Sequence, residues 1–196
     1  MTLADENRKK GRLFIISAPS GAGKSTLCQK LLRHFGDMVY SVSHTTRAPR
    51  GEEKEGIDYF FTTKENFLRG IEAGEWAEWA EVHGNYYGTS LNFLEKKLAS
   101  GTDVLLDIDV QGTEKIVKHY PDAMTVFIMP PSFDSLRIRM EKRGTDSPEV
   151  IDRRLENAKE EMEKKDRYRH IIVNDDLSEA LAQLTALVKN CRMGKA

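Results

Sequence analysis

Two spacings of apolar residues take turns along this chain. Short apolar runs at Leu13–Ser17, 104–108, 125–129 and His170–Val173 read as strands. Over 25–34, Leu91–Ala99, 112–119, 133–142, 148–165 and 177–189, apolar residues recur every three to four positions, the period of a helix. Strands alternating with helices predict an α/β fold with a parallel sheet covered on both faces. Two helix starts are marked in the chain. Ser147-Pro148-Glu149 offers a hydroxyl cap, a proline at the first position and an acid in the first turn. Asp176-Leu177-Ser178-Glu179 is a second start signal.

The stretch from about 40 to 90 breaks the alternation. It is rich in Thr, Gly, Tyr and charge, with short β-like pieces at 39–43 and 59–62 and one helical piece near 64–73. It reads as an inserted, partly β, substrate-binding subdomain. A second irregular piece, Arg143-Gly144-Thr145-Asp146, is a turn that leads into a long charged helix. Internal repeats and low-complexity tracts are absent.

Composition narrows the function classes. With 196 residues, 39% hydrophobic and 31% charged, the chain fits one globular domain with an insertion. A net charge of −1 argues against a nucleic-acid partner. No apolar run approaches the length of a membrane span, so no membrane partner is expected. Residues 1–10 are polar, without a signal core, and read as a flexible tail. Cys28 and Cys191 are expected to be reduced thiols in a cytoplasmic protein, and no Cys/His cluster has zinc spacing.

The chemistry begins where the first strand ends. Leu13-Phe14-Ile15-Ile16 runs into Ser17-Ala18-Pro19-Ser20-Gly21-Ala22-Gly23-Lys24-Ser25-Thr26, followed by a helical pattern. Strand, Gly-rich turn, Lys-Ser and helix form the layout of a phosphate-binding loop. Gly21 and Gly23 let the backbone turn its N–H groups toward phosphate oxygens, and the helix start adds more. Lys24 supplies a point charge for β- and γ-phosphates, and the Ser25 hydroxyl a magnesium ligand. The first substrate is therefore expected to be a nucleoside triphosphate with Mg²⁺. Ala18 stands where the usual pattern has its first glycine, which a residue with negative φ tolerates.

Three further groups carry candidate roles. Arg47 and Arg50 flank a proline, and neighbouring guanidiniums can grip a phosphate bidentately; a solvated basic loop has the same sequence. Tyr59 and Tyr87 stand in the same irregular segment, either as phosphate donors or as packing. Glu78 offers only acceptors, which match the adjacent N1–H and N2–H₂ of guanine; the alternative is a surface acid at a helix end. Asp107 ends an apolar strand, placed to act on the magnesium shell. Arg139, Arg143 and Arg154 are candidates to cover the charge of a phosphoryl-transfer transition state, within a helix whose other arginines read as a solvated face.

Taken in order, Ser-Ala-Pro-Ser-Gly-Ala-Gly-Lys-Ser at 17–25, Ser-Val-Ser-His-Thr-Thr-Arg-Ala-Pro-Arg at 41–50, Gly-Asn-Tyr-Tyr-Gly-Thr at 84–89, Leu-Asp-Ile-Asp-Val-Gln-Gly at 106–112 and Ile-Val-Asn-Asp-Asp at 172–176 resemble the guanylate kinases, close to the bacterial ones. The resemblance covers about 11–190. It implies a P-loop three-layer core at about 11–39 and 91–190, a GMP-binding α+β insertion at about 40–90 and a helical lid at about 137–160. The implied reaction is ATP-dependent phosphorylation of GMP with Mg²⁺; dGMP as an alternative acceptor and the oligomeric state stay open. By motif, Ala18 to Thr26 would hold ATP. Arg47, Arg50, Tyr59 and Tyr87 would hold the GMP phosphate, and Ser43, Glu78, Thr89 and Asp109 the guanine. Asp107 would hold the metal's water shell, Arg139, Arg143 and Arg154 match lid arginines, and Asn174 matches a residue near adenine. Alanine at the Ala18 position and serine at the Thr89 position both occur in that family. Two substrates on one chain imply closure of insertion and lid on binding. The rivals are a sugar-phosphate kinase on the same scaffold and a non-catalytic guanylate-kinase-like binding module.

Overall fold

The computed structural model describes residues 10–82, 84–144 and 147–195, without the Arg143 side chain. The tail expected over 1–10, apart from Lys10, and Thr145 and Asp146 of the expected turn lie outside the described residues. In chain order the elements are β1 (Leu13–Ser17), α1 (Lys24–His34), β2 (Val39–Tyr40), β3 (His44–Thr45), β4 (Phe60–Phe61), α2 (Lys64–Glu72), β5 (Trp76–Val82), β6 (Asn85–Ser90), α3 (Leu91–Ala99), β7 (Val104–Asp107), α4 (Val110–His119), β8 (Met124–Met129), α5 (Phe133–Arg143), α6 (Pro148–Glu163), β9 (His170–Val173) and α7 (Leu177–Arg192). The α/β class expected from the sequence is observed. The chain divides into two compact units.

One unit holds Phe14–Gly36, Asp107–Val110 and the described residues from Met124 onward. Its strands pair in parallel, with Ile16 beside Val126 and Val126 beside His170. Every residue of β1 is buried, which is why its sequence is a continuous apolar run rather than an alternating one. Leu27, Cys28 and Leu31 form the buried stripe of α1; Ala180, Leu184, Val188 and Cys191 form that of α7. The Asp176 side chain accepts from the N–H groups of Ser178 and Glu179, the cap its sequence announces. Leu136 and Met140 of α5 pack with Ile151, Leu155 and Ala158 of α6 into a small core of their own. Ser147 departs from expectation. Its hydroxyl donates to Glu149 Oε2 at 2.7 Å and accepts no cap bond from a helix N–H.

The other unit holds, of the described residues, 10–13, Asp37–Leu106 and Gln111–Ala123. Here β2 and β7 pair in parallel, and a four-stranded sheet runs in the order β4-β3-β6-β5. Strand β6 is antiparallel to both neighbours. Thr63 caps α2 through Asn66 N–H, and Phe67 of that helix is fully buried, stacked 4.4 Å from Trp76 and 5.5 Å from Tyr86. Gly88 leaves the room for that ring: a Cβ there would sit 2.8 Å from Phe67 Cζ.

Element boundaries shift modestly from those the sequence suggests. Strand 104–108 ends at Asp107, helix 112–119 begins at Val110, and strand 125–129 begins at Met124. Helix 148–165 stops at Glu163, with a 3₁₀ turn at Lys165–Arg167, and helix 177–189 continues to Arg192. The hairpin of β5 and β6 is the element that the hydrophobic pattern does not announce. A register shift between Trp76 and Glu78 turns Ala77 and Glu78 both inward. The resulting Trp-Ala-Glu-Trp-Ala-Glu run repeats every three residues and hides the two-residue period of a strand.

Candidate active site

The loop after β1 turns through two glycines, Gly21 at φ 88° and Gly23 at φ 91°, a region that residues with a Cβ avoid. Ala22 N–H closes a tight turn onto Pro19 O at 3.1 Å. Helix α1 then starts at Lys24 with no side-chain cap and no acid in its first turn. Its leading N–H groups have no capping side chain, and its positive dipole end is not neutralised, the condition for holding an anion. Ser25 and Thr26 are exposed beside it.

Lys24 forms an ion pair with Asp107 at the end of β7; the two side chains are 21% and 14% exposed. Burial by itself would lower the Lys24 pKa, but the Asp107 carboxylate outweighs it and the ammonium is held above its usual value. Ser17 supports the same corner, its buried hydroxyl donating to Ile108 O at 2.8 Å. Cys28 is buried on α1, where burial and then Asp107 push its thiol pKa up, so it stays protonated and inert.

Sequence reasoning passed over Glu161 of α6. Burial lifts its carboxyl to about 6, Lys24 pulls it down and Asp109 raises it again. Nothing in the sequence separates it from Glu160 and Glu163 on the same charged helix. A carboxyl whose folded pKa stands above its unfolded value of 4.5 costs stability as pH rises between the two. Glu161→Gln is therefore expected to gain stability over the unsubstituted protein between pH 4.5 and 6, by about 1 kcal/mol after solvent screening. Thermal melts at pH 4.5 and 7 measure the difference; an equal gap at both would remove this cause.

Beside the loop lies a cavity of about 320 Å³ lined by Gly21, Gly23, Thr26, Arg139, Lys142, Asn174, Asp175 and Leu177. Arg139 Nη2 donates to Asn174 O at 2.8 Å. Of the three expected lid arginines, Arg139 thus lines this wall and Arg154 is half-buried on α6. The Arg143 side chain lies outside the described residues.

The second constellation is in the other unit. Arg47 donates from Nε to Tyr87 Oη at 3.3 Å, from Nη1 to Ala48 O at 2.8 Å, and from Nη1 and Nη2 to the two Glu53 oxygens at 3.0 and 2.9 Å. Its guanidinium also lies 5.3 Å from the Tyr59 ring centre. Arg47, Tyr59 and Tyr87 are therefore one cluster. Arg50 is exposed, and its backbone N–H donates to Glu53 Oε2 at 2.8 Å. Glu53 is the residue sequence reasoning missed here: its hydrogen bonds from Arg47 and Arg50 hold its carboxyl below the usual range, and Arg47 is raised in return. A carboxylate on the two ends of a guanidinium shows that the fork is shaped for a two-oxygen anion.

Glu78 is not a surface acid at a helix end. It sits on β5, 8% exposed, opposite Thr89 on β6, whose hydroxyl donates to Oε1 at 2.7 Å. Lys115 braces the next residue, donating to Trp79 O with its ammonium 5.1 Å from the Trp79 ring centre. Ser43 is half-buried, and its carbonyl accepts from Phe60 N–H at 2.9 Å. Of the residues expected at guanine, Ser43, Glu78 and Thr89 belong to this unit, and Asp109 to the unit of the loop.

Magnesium prefers oxygen ligands, keeps several waters and commonly takes one or two protein groups plus substrate phosphates. The Ser25 hydroxyl and the Asp107 carboxylate beside Lys24 suit that pattern. Among the described residues, no group of three or more His, Cys, Asp or Glu could hold an ion without such a substrate.

The family model described as guanylate kinase matches residues 10–191. A guanylate kinase of Geobacter sulfurreducens is 46% identical over 190 residues, 96% of this chain and 94% of its own. One from Symbiobacterium thermophilum is 47% identical over 182 residues, 93% of this chain and 86% of its own. The crystal structure of guanylate kinase from Anaplasma phagocytophilum superposes with a TM-score of 0.78 at 36% identity, covering 94% of this chain and 88% of that one. The chain belongs to the guanylate kinase family.

Proposed function

We propose that this protein transfers the γ-phosphoryl group of ATP to GMP, giving ADP and GDP. The observation that carries the choice of acceptor is the buried Glu78, fixed by Thr89, in the same unit as the Arg47, Tyr59 and Tyr87 cluster. A buried carboxylate offers acceptors only, which guanine's N1–H and N2–H₂ satisfy and adenine's edge does not.

Roles follow from the chemistry of each group. Arg50 and the one Arg47 N–H that Glu53, Ala48 and Tyr87 leave over receive the GMP phosphate, with the Tyr59 and Tyr87 hydroxyls. Ser43 and Asp109 add contacts to the base. The loop from Ala18 to Thr26 wraps the ATP phosphates, Lys24 neutralises charge on the β- and γ-groups, and Arg139, Arg143 and Arg154 cover the transferring group. Ser25 and, through water, Asp107 would hold magnesium, which when bound supplies charge neutralisation on the polyphosphate.

A phosphate monoester has its second pKa near about 6, so GMP arrives mainly as a dianion and needs no general base. One of its oxygens forms a bond to the γ-phosphorus as the bond to the β,γ-bridging oxygen breaks, and ADP leaves with that electron pair. No protein nucleophile takes part; catalysis is positioning and charge stabilisation. We place the reaction in the cytoplasm, a setting supported by the buried thiol of Cys28.

The test is ADP formation from ATP and Mg²⁺ with GMP, AMP, UMP, dTMP and ribose 5-phosphate offered separately. Turnover with GMP at least about a hundredfold above the others is expected for a site that reads a hydrogen-bonding edge. Turnover with ribose phosphate alone would replace the acceptor. Folded protein that binds GMP and turns over nothing would make the chain a binding module.

A further inference from the structure

We propose that Asn174 is a positioning residue that holds the phosphate loop in its anion-binding shape. The proposal rests on the loop being the site of the ATP phosphates. Asn174 follows β9 directly, is 5% exposed, and its backbone N–H donates to Met129 O at 2.8 Å. It is thus fixed to β8 before its side chain does anything. The side-chain Nδ2 donates to Ala22 O at 2.7 Å, across 152 residues of chain.

That bond fixes the direction of a peptide group. Ala22 is fully buried, and its carbonyl belongs to the Ala22–Gly23 peptide. In a planar trans peptide the C=O and N–H point to opposite sides. Anchoring the Ala22 carbonyl on Asn174 therefore turns the Gly23 N–H away from Asn174. A loop that binds an anion through its N–H groups needs such an anchor on the carbonyl side, because an unanchored peptide can rotate and present its oxygen to the phosphate.

The same amide accounts for Gly23 a second time. Beyond its φ of 91°, a Cβ built on Gly23 would collide with Asn174 Nδ2. The amide occupies the space that any side chain at 23 would need. Arg139 joins the assembly through Nη2 to Asn174 O at 2.8 Å, so an arginine placed over the phosphates and the loop beneath them refer to one residue.

The experiment compares Asn174→Asp and Asn174→Ala with the unsubstituted protein by calorimetry, using Mg-ATP, inorganic tripolyphosphate and GMP as probes. Asn174→Asp is nearly isosteric and keeps the fold, but sets an acceptor against the Ala22 carbonyl. Mg-ATP and tripolyphosphate are both expected to bind about tenfold more weakly, by the same factor, with GMP unchanged. Weakening of Mg-ATP alone would make Asn174 a base contact and overturn the proposal. Unchanged affinities, or GMP falling with the others, would also overturn it. If the unsubstituted protein binds neither Mg-ATP nor tripolyphosphate, the reading of the loop itself has failed.

Discussion

Lys24→Ala is expected to lower turnover by about a thousandfold or more while GMP binds as before. The magnitude is that of removing a charged stabiliser aimed at developing negative charge in a site shielded from water. Two effects act together. The ammonium that serves the β- and γ-phosphates is lost, and Asp107, 14% exposed, keeps its charge without its ion-pair partner. ATP would then approach an uncompensated carboxylate. Lys24→Ala combined with Asp107→Asn is expected to recover part of the ATP affinity and none of the turnover. GMP is insulated, because Arg47, Glu78 and Thr89 all belong to the other unit. Calorimetry with GMP and rapid-quench assays of ADP formation measure both halves. Loss of GMP affinity in Lys24→Ala would refute this division of labour.

The second large effect is expected from Glu78→Gln, a hundredfold or greater fall in kcat/KM for GMP with little change for AMP. The Thr89 hydroxyl, 2.7 Å from Glu78 Oε1, can still donate to the amide oxygen of glutamine. The amide nitrogen then stands where guanine needs an acceptor, and donor faces donor. The shape is conserved and the hairpin register is set by backbone pairing, so the melting temperature should hold. An unchanged ratio of GMP to AMP activity would remove Glu78 from base reading; a large fall in melting temperature would make its role structural.

Legibility in the sequence tracked how local each feature is. Leu13–Ser17, the loop and α1 are contiguous, and their apolar run, glycines and Lys-Ser pair declare them without tertiary information. The Asp176 cap is equally local. The β5–β6 hairpin was not legible as strands because its bulge breaks the alternation on which strand reading depends. Partners were harder still. Glu53 is one acid among several in 52–58, and only the fold shows that its two oxygens meet the ends of Arg47. Glu161 gains its raised pKa from burial near Lys24 and Asp109, which no pattern on an acid-rich helix conveys. Asn174 could be matched to a motif, yet its bond to Ala22 joins residues 152 apart and exists only in the folded chain.

Direct in-line transfer from ATP to GMP is the centre of this account, and stereochemistry tests it most directly. The protein would be supplied with GMP, Mg²⁺ and ATPγS made chiral at its γ-phosphorus with oxygen isotopes, and the thiophosphoryl group of the resulting GDPβS analysed. A single in-line displacement predicts inversion at phosphorus. Retention would require a phosphorylated protein intermediate, and label absent from GDP would deny the transfer altogether; either result would contradict the account.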